Sequence, residues 1–165
     1  MSKIASLDIE SLDTEPTAVV TEIGIVVYDT ETQTEQVLGI RPNLVEQMLQ
    51  FRSISSGTIV FHERIHGSRE KLVRALSAES ETYKTMDLVS CHKVIKDFLA
   101  DADELWINGL SFDPVVLKNM FKQVGKDLPY YFRKEIDVRG MNTRVLPRLR
   151  KFFGEEAPIR TPAAH

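Results

Sequence analysis

Asp8 and Glu10 are the first side chains along the chain whose types and spacing could do chemistry. They lie two residues apart in an extended segment, so both carboxylates leave one face while Leu7 and Ile9 leave the other. Their Cα atoms would be about 6.5 Å apart, close enough for both carboxylates to bind one or two cations. Taken alone, a D-x-E pair is better explained as the solvated face of an edge strand.

A third carboxylate, Asp113, ends the sequence WINGLSFD, which begins at Trp106. A short strand delivers Asn108 to a glycine-containing turn. Asp113 then stands at the beginning of a helix, where an acid stabilises the helix as a cap or through its dipole. From the same position its carboxylate could reach Asp8. Trp106 and Phe112 could each stack on a base. Packing in the core is the preferred interpretation for Trp106 and an equally good one for Phe112.

A competing motif is the segment His62–His66 (HERIH), which matches the H-E-x-x-H pattern. On a helix it would place two imidazoles one turn apart, as in zinc metalloproteases. Such a site needs a third ligand, and the available Glu79 and Glu81 belong to no second motif. A surface or partly buried helix is therefore the default interpretation, with a zinc metalloprotease as a minor alternative.

The composition predicts one folded α/β domain over residues 1–165. The chain is 42% hydrophobic and carries a net charge of −3, which argues against disorder. Its single cysteine, Cys91, excludes an intrachain disulfide framework and suits a reducing compartment. No apolar run approaches the length of a membrane helix, and acids interrupt the N-terminus where a signal peptide would be apolar. We therefore expect a soluble, cytoplasmic protein that does not bind membranes.

The charge is distributed unevenly along the chain. Residues 1–36 hold eight acids and one base, whereas residues 133–151 hold seven bases and two acids. An acidic opening and a basic closing segment indicate a polyanion handled beside a carboxylate cluster, although variation over short windows explains the pattern equally well.

The spacing of apolar residues changes along the chain and predicts the strands and helices that position these residues. An N-terminal antiparallel meander is expected at Lys3–Glu10, Ala18–Tyr28 and Thr34–Ile40. Helices are then expected at Leu44–Phe51, Thr58–His66, Ser68–Leu76, Leu88–Leu99 and 114–123, with a strand at Glu104–Asn108 between the last two. A final helix is expected after Asp137, broken at Pro147 before Leu149–Phe153. A later strand that joins a hairpin through a helical crossover predicts a mixed sheet with flanking helices.

Taken together, the ordered motifs resemble those of the DEDDh (DnaQ-like) 3′–5′ exonucleases, which have a ribonuclease-H-like fold. The nearer resemblance is to the branch with phage exonucleases, the exodeoxyribonuclease VIII catalytic domain and a mycobacterial exoribonuclease, which suggests a phage or bacterial source. The segments that carry the resemblance are Leu7–Glu10, Glu22–Tyr28, Thr58–His62, Asn108–Asp113 and Arg133–Arg139.

The resemblance implies hydrolysis of phosphodiester bonds at the 3′ end of single-stranded DNA or RNA with two Mg²⁺ or Mn²⁺ ions. Asp8 would bind both ions, Glu10 the ion that holds the attacking water, and Asp113 the second ion. The expected substrate-binding residues are Asn108, Phe112, Arg139 and Arg144. Members of the family often pair, so a homodimer is possible.

The end of the sequence, Ile159–His165 (IRTPAAH), resembles the approach to the family's third motif. His165 would take the place of the motif's histidine and act as general base. The fourth acid has no counterpart, so we expect a domain truncated at its C-terminus within that motif. The alternative to an enzyme is a catalytically impaired nucleic-acid-binding domain of the same fold.

Overall fold

Alternation of apolar and polar residues gives the first strand, β1 (Lys3–Ser11), two different faces. Leu7 and Ile9 are buried, while Asp8 and Glu10 are exposed on the other side, as the sequence predicts. The computed structural model describes residues 2–140 of the chain.

The sheet has six strands in the order β4-β3-β2-β1-β5-β6. The first three strands are antiparallel, whereas β5 runs parallel to β1, β6 parallel to β5 and β4 parallel to β3. This strand order, with helices against the sheet, confirms the mixed α/β sheet and the ribonuclease-H-like fold. The further strands are β2 (Val20–Asp29), β3 (Thr34–Pro42), β4 (Tyr83–Met86), β5 (Glu104–Ile107) and β6 (Glu135–Asp137).

The helices form close to where the sequence predicts them, because their caps are local. Ser55, Ser68 and Asp87 each accept a hydrogen bond from a backbone N–H three residues ahead and so begin a helix. The helices are α1 (Leu44–Leu49), α2 (Ser56–His66), α3 (Arg69–Ser77), α4 (Leu88–Phe98), α5 (Asp113–Lys122) and α6 (Val138–Gly140), with a 3₁₀ turn at Phe132–Lys134. Within residues 2–140, no helix is long and apolar enough to cross a membrane.

Two short strands, β4 and β6, are absent from the sequence-based prediction. Each is only three or four residues long and carries charged residues, so neither has the apolar alternation that marks β1. The predicted helix after Asp137 begins at Val138. Its continuation, the segment Leu149–Phe153 and the predicted site residues Arg144 and His165 lie outside the described residues.

The core lies between one face of the sheet and the helices α4 and α5. Apolar residues alternate on the strands and recur at helical spacing on α4, so the sheet and the helix each have one continuous apolar face. These two faces pack against each other. Its largest fully buried side chains include Leu7, Ile23, Ile25, Ile40, Leu88, Ile95, Leu105, Ile107, Leu117, Met120 and Phe121. The opposite face of the sheet carries polar side chains, among them Asp8 and Glu10.

Arg52 joins the segment that follows β1 to α5, the helix that begins with Asp113. Its side chain is buried, and its Nε and Nη2 donate to the Ala18 carbonyl oxygen at 2.9 and 2.5 Å. Its Nη1 donates to Asn119 Oδ1 at 3.0 Å and to Gln123 Oε1 at 2.9 Å, both on α5. Burial lowers the pKa of Arg52 to about 10, so the guanidinium remains charged at neutral pH.

We expect Arg52→Met to reduce the free energy of unfolding by about 3 kcal/mol, because it leaves the buried Ala18 carbonyl oxygen without its donors and removes the hydrogen bonds to α5. Urea unfolding measures this change. Arg74→Met on the exposed surface of α3 is the matched control and should change stability by less than about 0.5 kcal/mol. Equal stability of the two variants would contradict the bridging role of Arg52.

Candidate functional site

The register between β1 and β5 brings the first two sequence motifs together. Leu7 pairs with Ile107 in the parallel ladder, so Asp8 and Asn108 follow at neighbouring positions where β5 ends. On the other side β1 pairs with β2, which places Asp8 opposite Gly24 and Glu10 opposite Glu22. The predicted pair therefore lies on the polar face of a central strand rather than on an edge strand.

Asp113 begins α5 with its side chain almost fully buried, at 7% exposure. The N-cap position belongs to Phe112 and has no side-chain cap bond, so Asp113 does not cap the helix. Burial, as the largest cause, and the negative charges of Asp8 and Glu10 together raise the pKa of Asp113 to about 7. The Ile9 backbone N–H and the Arg139 guanidinium oppose this increase. The three carboxylates therefore interact electrostatically although they come from two separate motifs.

Arg139 lies against the turn that follows β5. Gly109 has φ of +98°, so the backbone of the turn favours glycine, and the Arg139 guanidinium occupies the space where a side chain would project, with its Cζ 2.9 Å from the position of a Cβ. Arg139 Nη2 donates to the Asn108 carbonyl oxygen at 3.4 Å. Asp137 Oδ1 accepts from the Arg139 backbone N–H at 3.0 Å and fixes the start of α6.

A cleft of about 520 Å³ collects these residues. Its lining contains the predicted site residues Asp8, Glu10, Asn108, Phe112, Asp113 and Arg139, together with Phe61 and His62 of α2. Phe112 lines the cleft and also packs on the core, so both of its predicted interpretations describe part of its surroundings. The structure brings together every predicted site residue that it describes.

The chemistry of the donors fits a divalent cation. Carboxylate oxygens are the ligands that Mg²⁺ and Mn²⁺ prefer, and the charges of Asp8 and Glu10 that raise the pKa of Asp113 would be offset by a cation. Among residues 2–140, no three His, Cys, Asp or Glu side chains already converge as a complete ligand cluster. Asp8, Glu10 and Asp113 could thus hold a cation by adjusting their side chains within the cleft.

The H-E-x-x-H segment does form a helix, but its groups are used for other contacts. His62 is buried, and its Nε2 lies 2.9 Å from the carbonyl oxygen of Ser11, which makes this nitrogen a donor. Glu63 pairs with Arg69. His62 therefore attaches α2 to the end of β1, and the part of the chain that the structure describes contains no third zinc ligand.

The prediction that Trp106 packs in the core is wrong. Trp106 follows the buried Leu105 and precedes the buried Ile107 on β5, so its indole leaves the polar face. Its Nε1 donates to Glu104 Oε2 at 2.8 Å. A four-residue strand with charged and apolar residues does not show in its sequence which face is inside.

Sequence reasoning also missed a second group of polar residues on the same sheet face. Arg41 on β3 donates to Glu22 Oε1 from Nη2 at 3.0 Å, and its guanidinium lies 5.8 Å from the ring centre of Tyr83 on β4. The visible signal was Gly24, a glycine inside an otherwise apolar strand, which indicates a close approach by another group.

We expect Asp113→Asn to stabilise the cation-free protein above pH 7. The folded-state pKa of about 7 exceeds the unfolded value, so the contribution of Asp113 to stability is lost as the pH rises from about 4 through about 7. An uncharged amide avoids this loss, which amounts to at most about 4 kcal/mol.

Urea unfolding in excess EDTA at pH 5 and pH 8 measures the effect of Asp113→Asn. The stability difference between the variant and the wild type should grow in favour of the variant from pH 5 to pH 8. The same difference at both pH values would contradict the raised pKa of Asp113.

Comparison with known proteins agrees with these motifs. The sequence model of one protein family, the Rv2179c-like 3′–5′ exoribonuclease domain, matches residues 3–152. This range includes the three carboxylates and Arg139. The crystal structure of cell-death related nuclease 4 (CRN-4) is similar at 11% identity with a TM-score of 0.48. The alignment covers 98% of this chain and 52% of CRN-4, so the chain spans about half the length of that nuclease. No curated protein matches the sequence.

The family match covers most of the chain and contains the ordered acidic motifs that line the cleft. The chain belongs to the Rv2179c-like family of 3′–5′ exoribonuclease domains.

Proposed function

We propose that the protein is a 3′–5′ exoribonuclease that removes nucleotides from the 3′ end of single-stranded RNA with the help of two Mg²⁺ or Mn²⁺ ions. The observation that carries this proposal is the common cleft of Asp8, Glu10 and Asp113, bordered by the Arg139 guanidinium. Membership of a family of 3′–5′ exoribonuclease domains supports RNA as the substrate.

The carboxylates have the task of holding the cations. Asp8 and Glu10 leave the same strand face and could share them, and Asp113 approaches from the start of α5. When bound, the cations would make the attacking water more acidic and offset negative charge on the phosphate and on the leaving 3′-oxygen. Burial of Asp113 keeps that carboxylate away from competing water, which strengthens its electrostatic interactions.

The remaining residues bind the RNA and move the proton. Arg139 and Arg144 would contact phosphates, while Asn108 and Phe112 would contact the terminal nucleotide. His165 would accept a proton from the attacking water as the water oxygen bonds to phosphorus. The bond from phosphorus to the 3′-oxygen of the preceding nucleotide then breaks, which releases a nucleoside 5′-monophosphate and a shortened strand.

Other parts of the expectation also remain proposals. These are the two-ion mechanism, the roles of Arg144 and His165, and the branch of exonucleases to which the chain is nearest. Cytoplasmic location and a homodimer likewise stay predictions, and sedimentation equilibrium would test the dimer.

We expect digestion of 5′-labelled single-stranded RNA with Mn²⁺ to give a ladder that shortens from the 3′ end. Asp8→Ala and Asp113→Ala should each reduce kcat at least about 100-fold, because each removes a proposed cation ligand. Asp97→Asn on the exposed surface of α4 is the control and should retain full activity.

The same digestion separates the alternatives. Full activity of either alanine variant would contradict the proposed site. Faster digestion of DNA than RNA would contradict the substrate, and cleavage of a circular strand would indicate an endonuclease. RNA binding without turnover, together with no Asp8-dependent binding of Mn²⁺, would favour the catalytically impaired domain.

We expect Arg139→Ala to weaken binding of single-stranded RNA about tenfold, because it removes a cation at the edge of the cleft. The loss of one phosphate contact should also reduce the slope of log Kd against log salt by about 0.7. Fluorescence anisotropy at several salt concentrations in EDTA measures both changes.

Lys122→Ala is the matched control for Arg139→Ala. It removes one positive charge at the opposite end of α5 from Asp113 and should leave both binding values unchanged. An unchanged salt slope in Arg139→Ala would show that Arg139 contacts no phosphate.

A further inference from the structure

A second groove, which we call the basic groove, lies outside the candidate site. Its volume is about 590 Å³, comparable with the cleft. It is bounded by the last turn of α4, the loop after α5 and the segment that leads into β6, and it shares no lining residue with the cleft. The charged and exposed aromatic residues of its lining include Lys96, Lys126, Asp127, Tyr131 and Lys134.

Positive charge dominates the basic groove. Asp127 is the one carboxylate among its described lining residues, against Lys96, Lys126 and Lys134. The ion pairs within residues 2–140 all involve other bases, so no carboxylate of this part of the chain neutralises the three lysines. Lys134 Nζ donates to the carbonyl oxygen of Ala102 at 2.6 Å, an acceptor without net charge. The groove therefore attracts anions.

His92 on the wall of the basic groove is affected by this charge. Burial lowers its pKa, and the charges of Lys126 and Lys96 lower it further. Its Nε2 donates to the carbonyl oxygen of Asp127 at 3.0 Å. The two lysines come from α4 and from the loop after α5, and they act on one point of the groove.

Exposed aromatic rings border the same groove. Tyr131 and Phe132 are 55% and 59% exposed, and their ring centres lie 5.3 Å apart in an edge-to-face arrangement. The Arg133 guanidinium lies 5.9 Å from the ring centre of Tyr131 and 6.0 Å from that of Phe132. Exposed aromatic faces beside an arginine are the groups on which the bases of single-stranded nucleic acids stack.

The strand β6 connects the basic groove to the cleft. It runs parallel to β5, so its start lies at the groove and its end points towards the cleft. Arg139, which lines the cleft, follows Arg133 by six residues, so their Cα atoms are at most about 22 Å apart. A few nucleotides of single-stranded RNA span this distance.

We propose that the basic groove binds single-stranded RNA a few nucleotides upstream of the 3′ end that enters the cleft. Lys96 and Lys126 contact phosphates there, and Tyr131 stacks on a base beside Arg133. RNA matches both features of the groove, because its phosphates use the cations and its unpaired bases use the exposed rings. A lipid surface would use only the charge. The inference rests on the proposed function for the class of substrate and adds a dependence on RNA length.

Binding of RNA strands of two lengths in excess EDTA tests the proposal. Fluorescence anisotropy compares 5′-labelled strands of about three and about 12 nucleotides. We expect Tyr131→Leu to weaken binding of the longer strand about tenfold through loss of stacking. Lys126→Gln should reduce the slope of log Kd against log salt for that strand by about 0.7. Affinity for the shorter strand should change by less than about twofold, because a strand held in the cleft is then too short to reach the groove.

Phe51→Leu and Lys84→Gln are the matched controls. They change an exposed aromatic ring and an exposed lysine that line neither the groove nor the cleft, and both should bind the two strands as the wild type does. Unchanged binding of the longer strand by Tyr131→Leu, or equal losses for the two lengths, would overturn the inference. Binding to anionic phospholipid vesicles that Lys126→Gln weakens, with RNA binding unchanged, would identify a lipid surface and overturn it as well.

Digestion with Mn²⁺ separates this inference from the proposed function. We expect the KM of the longer strand to rise about tenfold in Tyr131→Leu, in line with the loss of stacking. An active exoribonuclease whose Tyr131→Leu variant digests both lengths as the wild type does would overturn the inference alone. Length-dependent binding through Tyr131 in a protein that cleaves no RNA would confirm the groove and contradict the proposed function.

Discussion

Placing the carboxylates of Asp8, Glu10 and Asp113 around one cleft costs free energy, and the rest of the fold must offset this cost. The pKa of Asp113 rises to about 7 because its carboxylate is buried next to two like charges. Such a group opposes folding at neutral pH unless a cation is bound. A chain selected only for stability would replace this carboxylate, so its position is best explained by the chemistry it allows.

The sheet register is what brings the carboxylates together, since the two motifs are more than 90 residues apart in sequence. β1 is central and pairs with β2 on one side and β5 on the other, which fixes Asp8 against both neighbours. A shift of one residue in either ladder would turn Asp8 into the core and Leu7 to solvent. The apolar face therefore holds the polar face in register, and burial of residues such as Leu7 and Ile107 indirectly positions the site.

The sequence predicts the parts of this arrangement that depend on local patterns. Alternation in β1 and the beginning of α3 at Ser68 are visible within a few residues, and the structure has both. Asp8, Glu10 and Asp113 could also be selected from their ordered motifs. By contrast, β4 is a short strand whose stability comes from pairing with β3, more than 40 residues earlier in the chain. Pairing over such distances leaves no periodic pattern in the strand itself.

Gly24 and Gly39 show how a local rule can fail beside a site. Glycine weakens a strand by about 0.5–1 kcal/mol relative to alanine, so a matched pair of glycines in neighbouring strands is unfavourable on local grounds. Gly39 is buried although it lies on the polar face, because the strand that carries Tyr83 covers it. The two glycines thus exchange intrinsic strand stability for space that the Tyr83 side chain occupies. In the sequence, an isolated glycine in each of two apolar strands was the only trace of this contact.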